Sequence, residues 1–237
     1  AAGSVGTAVR CGILCLGLLA GCPSAPPDTP PPDPSGWAAI VVAGPFSGDV
    51  SASVIHGETL AVTDGLVGLT GSDWVPAVAD GAPYLIGRSG VDAVRRYADR
   101  AFGAPRWEVS TGAGGNPQDA ARCGGRLFVP RFGRLTGGDG GGDVLILDPA
   151  SGATLGRVDL SAFVESDDGS PEPVSFVRAG DDLLLPLQRF DQGAGWIPDP
   201  EGKVVRIDCA AGEVSAAIST GPNPRLSPLG DGRGLLV

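Results

Sequence analysis

Three arginines close short apolar runs: Arg88 in LIGRSG, Arg131 in VPRFG and Arg189 in LQRF. An acidic residue stands in the loop ahead of each run's predecessor: Asp73, Asp119 and Glu172 respectively. A guanidinium offers a planar fork of donors that fits a carboxylate two bonds at a time. Two chemistries are therefore open. Each arginine pairs with its own carboxylate and fixes a loop, or the groups converge on a polar ligand or peptide as donors. Other candidates are sparser. His56 is the sole histidine, in VIHGE, and no Gly-x-Ser-x-Gly elbow accompanies it. The loop TGGDGGGD (136–143) is a single copy of a Gly/Asp pattern that binds calcium only in tandem, and ESDDGSPEP (165–173) reads as a solvated acidic connection. No cysteine pair has zinc spacing, so neither a metal nor a cofactor is expected, and no catalytic constellation is visible.

Composition narrows the classes. Of 237 residues 42% are apolar, enough for a sizeable core. Lys and Arg number 17 against 27 Asp and Glu, a net charge of −10. A nucleic-acid surface needs clustered cations that displace counterions, so nucleic acid is not an expected partner. The 39 glycines and 22 prolines fall between short apolar runs, which calls for many turns and hence many strands.

The elements that must position the arginines follow from a repeat. DVLILDPASGATLGRVDL (143–160) matches KVVRIDCAAGEVSAAIST (203–220), with Asp148 over Asp208 and Gly152 over Gly212. TGAGGNP (111–117) matches TGPNP (220–224) two units further on. No window holds a helical period, and a unit of this length suits four strands. A small sheet buries both faces only when neighbours pack on it. The fold class expected is all-β, a β-propeller of four-stranded antiparallel blades, present as an incomplete arc of about four to five blades over residues 37–237.

The first blade is assigned strands at 37–44, 49–56 and 58–63. The second takes 74–79, 83–88, 92–98 and 105–111, and the third 118–123, 126–132, 143–148 and 153–159. The fourth takes 173–178, 182–189, 203–208 and 213–219, and a fifth begins at Arg225. Its end inside a second strand suggests a truncated propeller. In this scheme the three arginines and three carboxylates share one rim at the mouth of the central channel. Cys123 and Cys209 fall in different blades and strands, so no bridge between them is expected.

At the N-terminus Arg10 precedes the apolar stretch CGILCLGLLAG, too short to span a bilayer but suited to a signal peptide. Leu19-Ala20-Gly21-Cys22 resembles the lipobox of bacterial lipoproteins, which implies removal of 1–21, with Cys11 and Cys15, and lipidation of Cys22. The proline-rich segment 23–36 then reads as an extended tether. Pro23 stands where an inner-membrane retention signal would place Asp, so the outer membrane of the cell envelope is the expected address.

GNPQD, RLFVPRFG and VLILDPASGA are together similar to bacterial surface propellers of the YVTN or YncE-like type, which are often seven-bladed lipoproteins. Gln118 departs from the histidine anticipated after Asn-Pro, and any role of that imidazole is lost here. The resemblance implies a membrane-anchored, non-enzymatic binding or scaffold module with a protein or saccharide ligand. The alternative is a propeller enzyme, lactonase-like or quinoprotein-like, whose catalytic residues lie in further blades.

Overall fold

The structure is a computed structural model and describes residues 37–99, 101–133, 141–164, 169–228 and 234–236. Cys22, the signal segment, the tether, residues 136–140, and Glu165, Asp167 and Asp168 lie outside the described residues. What is described is all-β. A first sheet holds β1 (Trp37–Ala43), β2 (Val50–His56) and β3 (Val62–Leu69). The second runs β4 (Trp74–Ala79), β5 (Ala82–Gly87), β6 (Ala93–Arg96) and β7 (Trp107–Ser110). The third runs β8 (Ala121–Cys123), β9 (Arg126–Arg131), β10 (Asp143–Leu147) and β11 (Thr154–Val158). In both, neighbours in sequence pair antiparallel, the meander expected of a blade.

The fourth sheet contains β12 (Val177–Ala179) and β13 (Asp182–Leu187), then a separate hairpin of β14 (Phe190–Asp191) and β15 (Ile197–Pro198). It resumes with β16 (Gly202–Asp208) and β17 (Glu213–Thr220). A last pair, β18 (Leu226–Pro228) and β19 (Gly234–Leu236), opens a further sheet. First strands of successive sheets touch, β1 with β4, β4 with β8 and β12 with β18, so they form the inner wall of the arc.

The apolar runs are continuous because each central strand is covered on both faces. Along β9, Leu127 and Val129 pack with Tyr84 and Ile86 of the second blade, whereas Phe128 between them packs with Leu183 and Leu185 of the fourth. The neighbouring β10 divides the same way: Leu145 and Leu147 face the second blade, Val144 and Ile146 the fourth. A two-residue period thus serves two cores, and all seven of these side chains are buried. At about 1.5–3 kcal/mol for each fully buried large aliphatic or aromatic side chain, these layers are the main force holding the blades together. A third layer joins Val50, Ala52, Val54 and Leu69 of the first sheet to Trp74, Leu85, Tyr97 and Phe102.

The repeated Asp and Gly build the same turn twice. Asp148 Oδ1 accepts from Ala150 N, at 2.6 Å, and Asp208 Oδ1 from the amides of Ala210 and Ala211, both at 2.8 Å. Those bonds hold the Asp208 carboxyl below its ordinary pKa. Gly152 and Gly212 both have φ of 77°. A Cβ at Gly152 would come within 2.9 Å of the Trp107 ring, one at Gly212 within 3.0 Å of Ile146 Cδ1. Each turn therefore docks on the preceding blade, and the side-chain-free residue is required for the approach as well as for the backbone.

Three expectations need correction. The third strand of the first sheet is Val62–Leu69, not 58–63, because Gly57 to Thr59 turn the chain and Leu60 N bonds back to His56 O. The fourth blade carries the β14–β15 hairpin in place of a second strand running to 189. Cys123 and Cys209 form a disulfide with Cα atoms 5.6 Å apart. The end of β8 in one blade and the end of β16 in the next meet across the shared core, so belonging to different blades was no barrier.

Candidate functional site

Backbone register defines the rim. Trp74 pairs with Gly87, Pro117 with Arg131 and Pro173 with Leu187, which makes Asp73, Asn116 and Glu172 equivalent residues entering the second, third and fourth blades. Arg88 N donates to Asp73 O, Phe132 N to Asn116 O and Gln188 N to Glu172 O. The residues leaving the three second strands are thus Arg88, Phe132 and Gln188. The arginines occupy three different registers: Arg88 one residue past the pair, Arg131 within it and Arg189 two past. What recurs instead is a left-handed residue before proline, Asn116, Glu172 and Asn223, with φ of 47°, 46° and 50°.

The six sequence candidates consequently separate. Arg88 does pair with Asp73, Nε to Oδ1 at 2.7 Å, and both side chains are about one-third exposed at 35% and 33%. Its Nη1 also donates to Gln118 Oε1 at 3.3 Å, and Gln118 Nε2 reaches Asn116 Oδ1 at 2.7 Å. Arg131 is 1% exposed and pairs with Asp143, not Asp119. Its Nε and Nη2 meet Oδ1 and Oδ2 at 2.6 and 2.7 Å, while Nη1 donates to Thr111 O of the second blade at 2.6 Å. The pairing follows from register, because Asp143 lies directly across the β9–β10 ladder from Arg131.

Asp119 instead straps two blades, accepting from Ala120 N and Phe176 N, both at 2.8 Å. Desolvation pushes its pKa up against those two bonds. Arg189 meets Asp199 at 3.7 Å and donates to Glu201 O, not Glu172. Glu172 is 0% exposed and accepts from Phe190 N and Gln192 Nε2, both at 2.8 Å. Arg189 and Glu172 thereby hold the two ends of the β14–β15 hairpin. His56 is buried at the end of β2, and no described group of three or more His, Cys, Asp and Glu forms a metal set.

The rim encloses a cleft of 470 Å³ lined by Arg88, Gln118, Phe132 and Gln188, with Val174 and Ser175 from the fourth blade and Arg225 to Ser227 from the next strand. No described Asp or Glu lines it, in a chain of strong negative charge. Gln188 Nε2 is aimed by Asn223 Oδ1 at 2.7 Å. Arg225 is exposed and makes no ion pair with a described residue. Phe132 is also a wall of a second cleft of 290 Å³, where Trp196 stands opposite Ser89, Gly90 and Gly114.

Trp196 is 55% exposed and stacks on Phe132, centroids 6.2 Å apart and planes at 24°, with the edge of Phe190 at 6.1 Å. Sequence reasoning missed Phe132, Gln188, Arg225 and Trp196 as site residues. The Asn-Pro echo at 116–117 and 223–224 marked the rim, and a tryptophan inside the Gly- and Pro-rich DQGAGWIPDP was the signal for the hairpin.

The chain matches no protein-family model and no curated protein. Among solved structures it is similar to hydrazine synthase of Kuenenia stuttgartiensis, at 18% identity and a TM-score of 0.55 over 77% of this chain and 47% of that one. It is also similar to the Cps50 (Swd1) β-propeller domain of Myceliophteria thermophila, at 16% and 0.56 over 83% and 58%. A Bacteroides caccae protein of unknown function gives 15% and 0.51 over 83% and 64%. The chain thus spans between about half and two-thirds of these structures. At such identities the likeness is one of fold, and together with the stacked four-stranded sheets it identifies an open arc of a β-propeller.

Proposed function

We propose that this chain is a lipid-anchored binding or scaffold module of the bacterial cell envelope, of the YVTN or YncE-like kind, that holds its ligand at the channel mouth. The observation that carries the reading is the 470 Å³ cleft, where donors from three blades and the next strand converge without a described carboxylate among them. Concave sites that fix a ligand by a few placed polar groups have this composition. Arg88 is preset by Asp73, Gln118 by Asn116 and Gln188 by Asn223, so little ordering is left for binding to impose. The lipobox at Leu19 to Cys22, the proline tether and the absence of Asp at position 23 support attachment to the outer membrane.

Two measurements test it. Cys22→Ser should move the protein out of the membrane fraction and abolish fatty-acid labelling; unchanged fractionation defeats the anchor. A photo-crosslinking residue at Ser227, on the cleft wall, should capture envelope material in intact cells. Equal capture from a site on the outer strand β17 removes the mouth as the binding face.

A further inference from the structure

We infer that the rim takes an acidic saccharide, with a sugar ring stacked on the exposed indole of Trp196 and its carboxylate held by Arg225. This rests on the binding reading above and names the ligand class. The first support is the effort spent in displaying one indole. Trp196 has a φ of 66°, a conformation costly for a bulky residue, and more than half of its surface is left to solvent.

The hairpin presenting it is tied down at both ends. The fully buried Glu172 carboxylate bonds Phe190 N and Gln192, Asp191 accepts from Ala194 N at 2.7 Å and from Trp196 N at 2.9 Å, and Arg189 closes on Asp199 and Glu201. Burying a charge to hold a surface turn costs stability, which a passive loop does not require.

The second support is the shape around the ring. Phe132 stacks on the indole and Phe190 meets it edge to face, yet 55% of Trp196 stays exposed and can take an apolar surface. A pyranose presents such a surface in its C–H face while its hydroxyls ring the edge and need partners. The 290 Å³ cleft beside Trp196 offers Ser89, Gly90, Asn116 and Gln192, and the one described carboxylate on its wall, Asp92, is taken up by the amides of Gly114 and Asn116 at 2.8 and 2.7 Å.

The third support is charge. Phe132 joins this cleft to the 470 Å³ cleft, where Arg88 is already neutralised by Asp73 and Arg225 makes no ion pair with a described residue. One cation without a counterion among the described residues, beside an aromatic platform, suits a ligand with sparse carboxylates. A stacked nucleic-acid strand uses the same residue types, but its dense phosphates meet a net charge of −10.

The test titrates the full chain with a panel of oligouronates, their carboxyl-reduced counterparts and an acetylated peptide ending in a free carboxylate, following tryptophan fluorescence and calorimetry. At least one oligouronate should bind and shift the emission. Trp196→Ala should abolish the shift and weaken binding at least tenfold with the melting temperature unchanged. Arg225→Ala should weaken binding at least tenfold and flatten its salt dependence, and carboxyl reduction should have the same effect on the ligand side. Binding that survives Trp196→Ala, or is equally tight for the reduced sugars, overturns the inference. Binding of the peptide but no uronate also overturns it and leaves the binding reading standing, as does capture at Ser227 with no uronate bound. Failure of that capture is the separate result that defeats the binding reading.

Discussion

Arg88 with Asp73 and Arg131 with Asp143 are the same ion pair in two settings one blade apart. The first sits on the channel mouth with roughly a third of each side chain in water, the second is sealed between blades with 1% and 8% exposed. The sealed pair satisfies the conditions under which a buried charge survives: bidentate geometry and a third bond, to Thr111 O. Its donors are spent on the protein. The open pair is held by Nε and Nη2 on one carboxylate oxygen, and its remaining contact is a long one to Gln118. Recurrence of arginine near strand ends therefore marks two different jobs, and burial tells them apart.

The largest expected effect comes from breaking the sealed pair. Arg131→Ala leaves Asp143 buried with only the more distant Arg157, at 3.7 Å, and should cost about 3–5 kcal/mol. In a chain of this size that lowers the melting temperature by roughly 6–20 °C. The double variant Arg131→Met with Asp143→Leu should recover most of the loss by calorimetry, since matched apolar groups carry no desolvation penalty. A double variant as unstable as the single would mean that Thr111 and the backbone, not the paired charge, set the cost.

Next is the Cys123–Cys209 staple, which crosses from the third blade to the fourth and has no counterpart at the Arg88 junction among the described residues. It closes a long loop, with a sequence separation of 86. Removing both thiols as alanine should cost about 2–4 kcal/mol in oxidised protein and nothing measurable in reduced protein. Equal melting of parent and variant under oxidising conditions would show that the core around Leu183 and Ile207 holds this junction alone.

How much of this was legible beforehand differs by level. The third blade's strands emerged nearly in place because LFV and VLIL are apolar on both faces, and the Asp148–Gly152 turn echoed in Asp208–Gly212 set the period. Of the three side-chain pairings only Arg88 with Asp73 was legible. Arg131 to Asp143 spans a hairpin whose register decides the pairing, and matching Asp119 to Asp73 misses the true equivalent, Asn116, by three residues. Trp196 escaped notice because it belongs to no repeat: the hairpin interrupts the fourth blade, and periodic patterns are silent about insertions.

A smaller effect, visible only through pH, belongs to Asp119, the strap between the blades that the staple also joins. Burial raises its folded-state pKa above that of the unfolded chain, so the native protein takes up this proton first on acidification. Its contribution to stability is full below the unfolded pKa and is lost as pH rises through the folded one. Asp119→Asn does not titrate. The melting difference, variant minus parent, should therefore move in the variant's favour as pH rises out of the ordinary carboxylate range and level off once the folded-state carboxyl is ionised. A difference independent of pH would remove burial as the dominant influence on this carboxyl.

The smallest expected effect on stability is the one that sharpens the comparison most. Arg88→Ala removes a pair with about a third of each side chain in water, worth about 0–1 kcal/mol, because solvent screens it and the side chains recover their freedom. Melting should shift by no more than roughly 4 °C. The consequence should appear instead at the mouth, where Gln118 loses the guanidinium that orients its carbonyl oxygen and the cleft wall loses a cation. Amide exchange should quicken around Asn116 to Gln118 while the amides of β9 and β10 keep their protection, since the two cores flanking those strands are untouched. Should Arg88→Ala instead destabilise the chain as much as Arg131→Ala, the open pair would be as structural as the sealed one, and exposure would no longer separate the arginine that serves the fold from the one free to meet a ligand.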